Sequence, residues 1–333
     1  MNRDFKLILF LLLSPLVIFL LVSCSPPDTD DTKVIILAHA MHPTHPVSVA
    51  MDSMAHRLEE MSSGRMRVKI YPAGQLGGER TLLELIQIGT IDIAKVTTAR
   101  LENIVPAMRV YSLPYLFRDK EHYVNVLDSD VGKELMHEGA EHNLLGIAYY
   151  DAGSRSFYTK DQPVHSPADL AGLKIRVIES VEAMRLMRTL NGAPTPIPFG
   201  ELYTAFQGGI VDGAENNPPS FYTSRHYEVC NYYSLNEHTT IPDILVIGTR
   251  VWEGLSDQQR NWLQQAVDES VEFQRELWQE FEEESLQIVE EAGVTVIYPD
   301  KEPFREILKP IYKYIKQNDP ALHYWVERIR QVE

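Results

Sequence analysis

Residues 256–292 run for thirty-seven positions without a glycine or a proline, in a stretch dominated by Gln, Glu, Leu, Val and Trp. Nothing in it breaks a helix, and at 1.5 Å per residue a single helix of that length spans about 55 Å. That is wider than one small domain, so the run is expected to cross two. The length agrees: about three hundred residues beyond the N-terminal segment exceed what one core usually serves.

Upstream, strand and helix alternate twice. Residues 34–38 read as a strand and 47–61 as a helix, with apolar residues at helical spacing before Gly64. Strand 66–71, helix 81–88 closed by Gly89 and strand 91–96 follow. A helix over 123–137 then leads to strand 144–150. After Gly153 the pattern restarts: strand 155–158, a helix start at Ser166-Pro167-Ala168-Asp169, strand 173–177, helix 181–190 and strand 195–197, ending near 233. Strand 244–249 reads as returning to the first sheet. This alternation predicts an α/β fold with parallel sheets.

The N-terminus carries Arg3 and Lys6 before an apolar run over 7–22, the layout of a secretory signal peptide. It ends at Leu21-Val22-Ser23-Cys24, which resembles the lipobox of bacterial lipoproteins, so Cys24 is the expected lipidation site. An uncleaved signal anchor is the alternative. Residues 25–32 (SPPDTDDT) read as a tether. With Cys24 lipidated, Cys230 is the one remaining thiol, which excludes an intramolecular disulfide.

The chain has 31 Lys+Arg against 47 Asp+Glu, a net charge of −16; without Arg3, Asp4 and Lys6 the exported part carries −17. Nucleic acid is therefore excluded as a partner, and any anion must be held by a few local cations against the overall field.

Three blocks occur in one order: Gly74-Gln75-Leu76-Gly77, then Gly172-Leu173-Lys174-Ile175-Arg176-Val177, then Val211-Asp212-Gly213-Ala214-Glu215-Asn216. Together they resemble the extracytoplasmic solute receptors of tripartite ATP-independent periplasmic (TRAP) transporters, over about residues 34–314. The resemblance implies two α/β domains of periplasmic binding protein type, joined by hinge strands and a long crossing helix. Residues 1–23 would be the signal peptide and 24–32 the lipidated tether. Domain I would take 33–152 plus 241–278, and domain II 153–240 plus 279–333. It further implies an exported receptor, anchored to a membrane by its lipid, with no enzymatic activity and no cofactor. Its ligand is a small carboxylate and its partners are the transporter's membrane subunits; a monomer is expected.

The resemblance makes Arg176 the cation that holds the ligand carboxylate, a task suited to a guanidinium, whose rigid fork matches two carboxylate oxygens. Arg155 matches a second ligand-binding arginine, with a structural salt bridge as the alternative. Asn216 offers both donor and acceptor to a ligand, or is a turn-forming Asn before Pro218. Glu79, after the turn at Gly77-Gly78, suits sugar hydroxyls as an acceptor, or is a solvated helix-start Glu. His39 and His45 flank the end of the first strand and reach towards a cleft mouth, or are polar loop residues. His39, His42 and His45 recur every third residue, but Pro43 and Pro46 break any helix face, and no metal is expected. Lys95, a charge inside a strand, meets the ligand or a buried acid, or is a strand-edge lysine reaching solvent. Residues 215–220, 226–229 and 235–238 resemble the hexuronate-binding members, which adds Glu237 and His238 as hydroxyl partners. Phe199 is placed to stack on a pyranose face, or else belongs to the core.

Ligand classes left open are C4-dicarboxylates, sialic acids and keto acids. Two other functions compete: a sensory binding protein that signals to a membrane kinase, and a glycoside hydrolase using Glu79 with Glu215 or Glu237. The sequence carries no nucleophile elbow, phosphate loop or dinucleotide fingerprint.

Overall fold

A computed structural model describes residues 32–333. The signal segment, Cys24 and the tether as far as residue 31 lie outside the described residues.

The described strands are β1 (Lys33–Ala38), β2 (Met66–Tyr71), β3 (Ile93–Thr97), β4 (Leu145–Tyr150), β5 (Ser154–Thr159), β6 (Lys174–Val177), β7 (Ala193–Pro196), β8 (Gly213–Asn216), β9 (Tyr232–Thr240), β10 (Asp243–Ile247) and β11 (Thr295–Ile297). They form two sheets, ordered β2-β1-β3-β10-β4 and β11-β9-β5-β8-β6-β7. Both are mixed, which corrects the expectation of parallel sheets. β10 runs antiparallel between β3 and β4, and β5 antiparallel between β8 and β9. A strand buried on both faces, as β10 is along its whole length, carries no mark of direction in its apolar run. Its direction follows from its entry: the chain returns from the second sheet beside Tyr150, the end at which β4 leaves the first.

Two short segments, 151–153 and 241–242, thus cross between the sheets, and a helix makes the third crossing. That helix is Asp257–Glu291, opened by a capping box between Ser256 and Gln259 and followed by Gly293 at φ 102°. It packs on the helix Pro46–Met61 and β4 of the first half, and on the helix Pro218–Thr223 and β11 of the second. Leu263, Ala266, Val267 and Trp278 sink into a core with Val47, Met51, Leu58, Ile147 and Leu245. Midway, the Gln274 side chain bonds both backbone groups of Asp151 (2.9 and 2.8 Å), fixing one crossing segment. Gly153 sits at φ 55°, where a Cβ would lie 2.8 Å from Glu282 and 2.9 Å from Trp278. Only glycine fits there.

The predicted helix over 123–137 is two helices, Lys120–Asp128 and Asp130–His137. Ser129 leaves the helical conformation (ψ 170°) and caps the second by accepting from Gly132 N–H. Helices Glu302–Asn318 and Pro320–Arg330 finish the chain, packing respectively on elements of the second half and on the 3₁₀ turn Pro106–Ser112.

Candidate functional site

In α/β sheets, ligands gather at the carboxyl ends of strands. Here Ala40 and Met41 follow β1, Thr97 ends β3 and Arg100 follows it, Ile178 and Glu179 follow β6, and Asn216 ends β8 with Asn217 after it. These residues from both sheets line one cavity of about 250 Å³. Glu79, Lys95, Arg155, Arg176, Phe199 and Asn216 line it too, so six of the ten side chains expected from sequence converge there.

Register explains the convergence of the second half. Arg176 on β6 pairs with Ala214 on β8, and Ser156 on β5 pairs with Asn216. Arg155, Arg176 and the Glu215-Asn216 pair therefore reach one end of three adjacent strands. Arg155 is buried and engaged: Nη1 donates to Asn216 Oδ1 (2.8 Å), Nη2 to the Glu215 carbonyl (2.7 Å), and Nε to the Glu215 carboxylate. Burial works against its charge, but the carboxylate outweighs this and its pKa is raised.

Arg176 differs. Its Nε donates to the Ile197 carbonyl (2.8 Å), which aims the guanidinium, and its plane centre lies 5.8 Å from the Phe199 ring centroid. Among the described residues no carboxylate lies within ion-pairing distance, and neither Nη has a partner. Burial, opposed by Glu215 nearby, lowers its pKa, yet a guanidinium stays charged. The other cavity cations are matched: Lys95 with Asp243 (2.8 Å) and Glu79 (3.5 Å), Arg100 with Glu179 (2.7 Å), Arg80 with Glu84 (3.1 Å). Lys95 thus meets buried acids, one of the readings left open for it, and does not reach solvent as a strand-edge lysine would. Glu79 also accepts from Thr97 N–H (3.2 Å), and Asn216 Oδ1 accepts a further bond from Asn217 N–H (3.0 Å), leaving Asn216 Nδ2 as a donor.

His39, His45, Glu237 and His238 do not line this cavity. His45 caps the helix Pro46–Met61 by accepting from Val47 N–H at Nδ1. Its other nitrogen then carries the proton and donates to Ser220 Oγ (3.3 Å), a cavity residue. His39 lies against Ser48, and burial together with Lys95 lowers its pKa to about 3. His238 stacks on Phe157 at 4.3 Å; burial and then Arg155 lower its pKa to about 3. Both are neutral supports of the wall. Glu237, at φ 48°, pairs with Lys301 and lines a different cavity behind the crossing segments. β9 thus places Glu237 outside the cavity that Arg176 lines. Sequence reasoning missed Arg100 and Glu179, although both lie within four residues of the end of a predicted strand, where α/β sites are built.

Residues 37–319 match the family described as bacterial extracellular solute-binding protein, family 7. The chain belongs to that family. As a family 7 receptor it is an extracytoplasmic binding protein of the TRAP type. It is 35% identical over 292 residues to a solute-binding protein of Chromohalobacter salexigens, covering 87% of each chain. Among solved structures, a TRAP periplasmic solute-binding protein of Xanthobacter autotrophicus with bound β-D-galacturonate is 37% identical; it aligns over 90% of this chain and 100% of its own, with a TM-score of 0.86. Another, from Anaerococcus prevotii with bound α/β-D-glucuronate, is 35% identical over 90% and 98%, with a TM-score of 0.88. This family 7 chain shares with them its two mixed sheets and, by that likeness, the working design of a receptor for small carboxylates.

Proposed function

We propose that this receptor captures a hexuronate, D-glucuronate or D-galacturonate, in the cavity between the two sheets and hands it unchanged to the membrane subunits of a TRAP transporter. One observation carries the reading: among the described residues, Arg176 is the cavity cation whose charge and fork no carboxylate takes. A ligand carboxylate completes it with two parallel charge-assisted bonds. Arg155 holds Asn216, which offers its Nδ2 to the ligand. Glu79 accepts from a hydroxyl, and Phe199 covers an apolar sugar face. His45 acts through Ser220, while His39 and His238 set the walls.

Residues 33–152 with 241–278, and 153–240 with 279–333, move as two bodies about the crossing segments. Closure excludes water and strengthens each polar contact. Hand-over without chemistry agrees with the pairing of Glu79, Glu179 and Asp243 in the lining, and of Glu215 beside Arg155, with cations, while Glu201, the other carboxylate of the lining, is exposed. The receptor works as a monomer held to its membrane by lipid at Cys24.

Calorimetric titration tests the proposal. One-to-one binding is expected with D-glucuronate or D-galacturonate, the sugar recovered intact, and no heat with succinate, N-acetylneuraminate or pyruvate. Arg176→Lys keeps the charge but removes the fork, and should weaken binding at least tenfold, about 1.4 kcal/mol. Preference for succinate, or equal binding by the Lys variant, contradicts the assignment.

A further inference from the structure

Arg100 and Glu179 line the cavity but belong to neither the anion site nor its supports. Arg100 lies on the helical turn Thr98–Leu101 after β3 of the first sheet; Glu179 follows β6 of the second. Arg100 Nη2 stands 2.7 Å from Glu179 Oε2, and Nη1 donates to the Glu179 carbonyl at 3.3 Å. The other cation–carboxylate pairs at the cavity stay within one half. Lys95, Glu79 and Asp243 all belong to the first, as do Arg80 and Glu84, while Arg155 and Glu215 belong to the second. Among the described residues that line the cavity, Arg100 and Glu179 alone form an ion pair across it.

Neighbouring contacts follow the same line. Glu102 accepts from Val181 N–H, at the start of the helix Val181–Thr189, and its other carboxylate oxygen accepts from Ser112 Oγ at 3.3 Å. Ala99, Ile178 and Ile241 make a small apolar cluster apart from the larger cores. Residues 99–102 therefore meet 178–181 in a seam with an ion pair at the cavity, an apolar patch beside it and a capped helix start behind. The ion pair reaches water, with 11% of the Arg100 side chain and 32% of Glu179 exposed. An interaction of that kind biases an equilibrium without locking it.

The geometry points to a clasp: Arg100 and Glu179 join the two halves over a captured molecule and set how long it stays. This rests on the cavity being the ligand cleft, not on which molecule fills it. A rotation that separates the two sheets must part the pair, whereas Arg176 keeps its place on β6. Anchor and clasp are thus separate: the anchor decides what binds, and the clasp governs release.

Stopped-flow kinetics with D-glucuronate on Glu179→Gln, Arg100→Gln and the double variant test this. Each single change should raise the dissociation rate about fivefold and leave the association rate within about twofold. The double variant should be no faster than the faster single, since either change already breaks the pair. Unchanged dissociation, or effects that multiply in the double variant, overturns the clasp; multiplied effects would mean that each side chain touches the ligand by itself. A ligand-free arm keeps this separate from the hexuronate reading. Spin labels on Ile88→Cys and Ile210→Cys, exposed positions on the two halves, should report a longer mean distance when Glu179→Gln is added. Identical distance distributions with and without Glu179→Gln also overturn the clasp.

Discussion

Arg155 and Arg176 show how one residue type serves two ends on one sheet. Three of the N–H groups of Arg155 are spent on Glu215 and Asn216, whereas Arg176 is aimed by a single backbone carbonyl and keeps both Nη groups for the cavity. Lys95 belongs with Arg155. It is fully buried, and Asp243 beside it has its pKa raised by burial, against the pull of the ammonium. Lys95→Met should therefore destabilise the protein by about 3 kcal/mol in urea unfolding, since it leaves a buried carboxylate without its cation. Adding Asp243→Leu should recover part of that loss; a single variant as stable as the parent would show that the pair holds nothing. The sequence marks Lys95 as odd for a strand, but cannot show that its partner comes from β10, some 150 positions away. Arg176 was legible through its block of residues. Its lack of a carboxylate partner among the described residues was not, because an unmet charge is a property of the assembled cleft.

Among elements, the long helix is the most legible and the most consequential. The absence of breakers announced it, and the observed helix Asp257–Glu291 falls one residue short of the run at each end. Its contact with the crossing segment was hidden, since Gln274, Trp278 and Glu282 gain meaning only beside Asp151 and Gly153. Burial, reinforced by the nearby charge of Asp151, holds the Glu282 carboxyl up at about 7. An unfolded glutamate titrates near 4.3, so the native protein binds the extra proton between about pH 4.3 and 7. The stability this group contributes is complete below that range and is lost as pH rises through 7. Glu282→Gln should then stabilise the protein by ~2 kcal/mol at pH 8 and by almost nothing near pH 4.5, measured as the difference in melting midpoint from the parent. An equal gain at both pH values would remove the titration of Glu282 from the account. Strand direction, unlike the helix, was misread, because alternation tells which segments are strands and not which way each enters its sheet.

For the whole molecule, the acidic balance and the captured anion are reconciled by geometry. A chain with 47 acidic and 31 basic residues gathers Arg80, Lys95, Arg100, Arg155 and Arg176 around one cavity and neutralises all but one of them locally. Arg176, the cavity cation without a carboxylate partner among the described residues, is the group left to take an anion, and the rest of the wall is left for hydroxyl groups. Two α/β halves and the helix that crosses them were legible from alternation and length, the hinge strands followed from the resemblance, and the cleft at the strand ends came only with the structure. Which half supplies each wall residue was not, and Glu237 illustrates the cost: it lies on the strand that leads to the cavity residue Ile241, yet lines a different cavity. The most direct test is a crystal structure of the exported part with D-glucuronate. The account predicts the carboxylate bidentate on the two Nη groups of Arg176 at about 2.8 Å, the ring against Phe199, and Arg100 paired with Glu179 across the closed cleft. A uronate bound with its carboxylate on Arg155 or Lys95, leaving the fork of Arg176 to water, would contradict it.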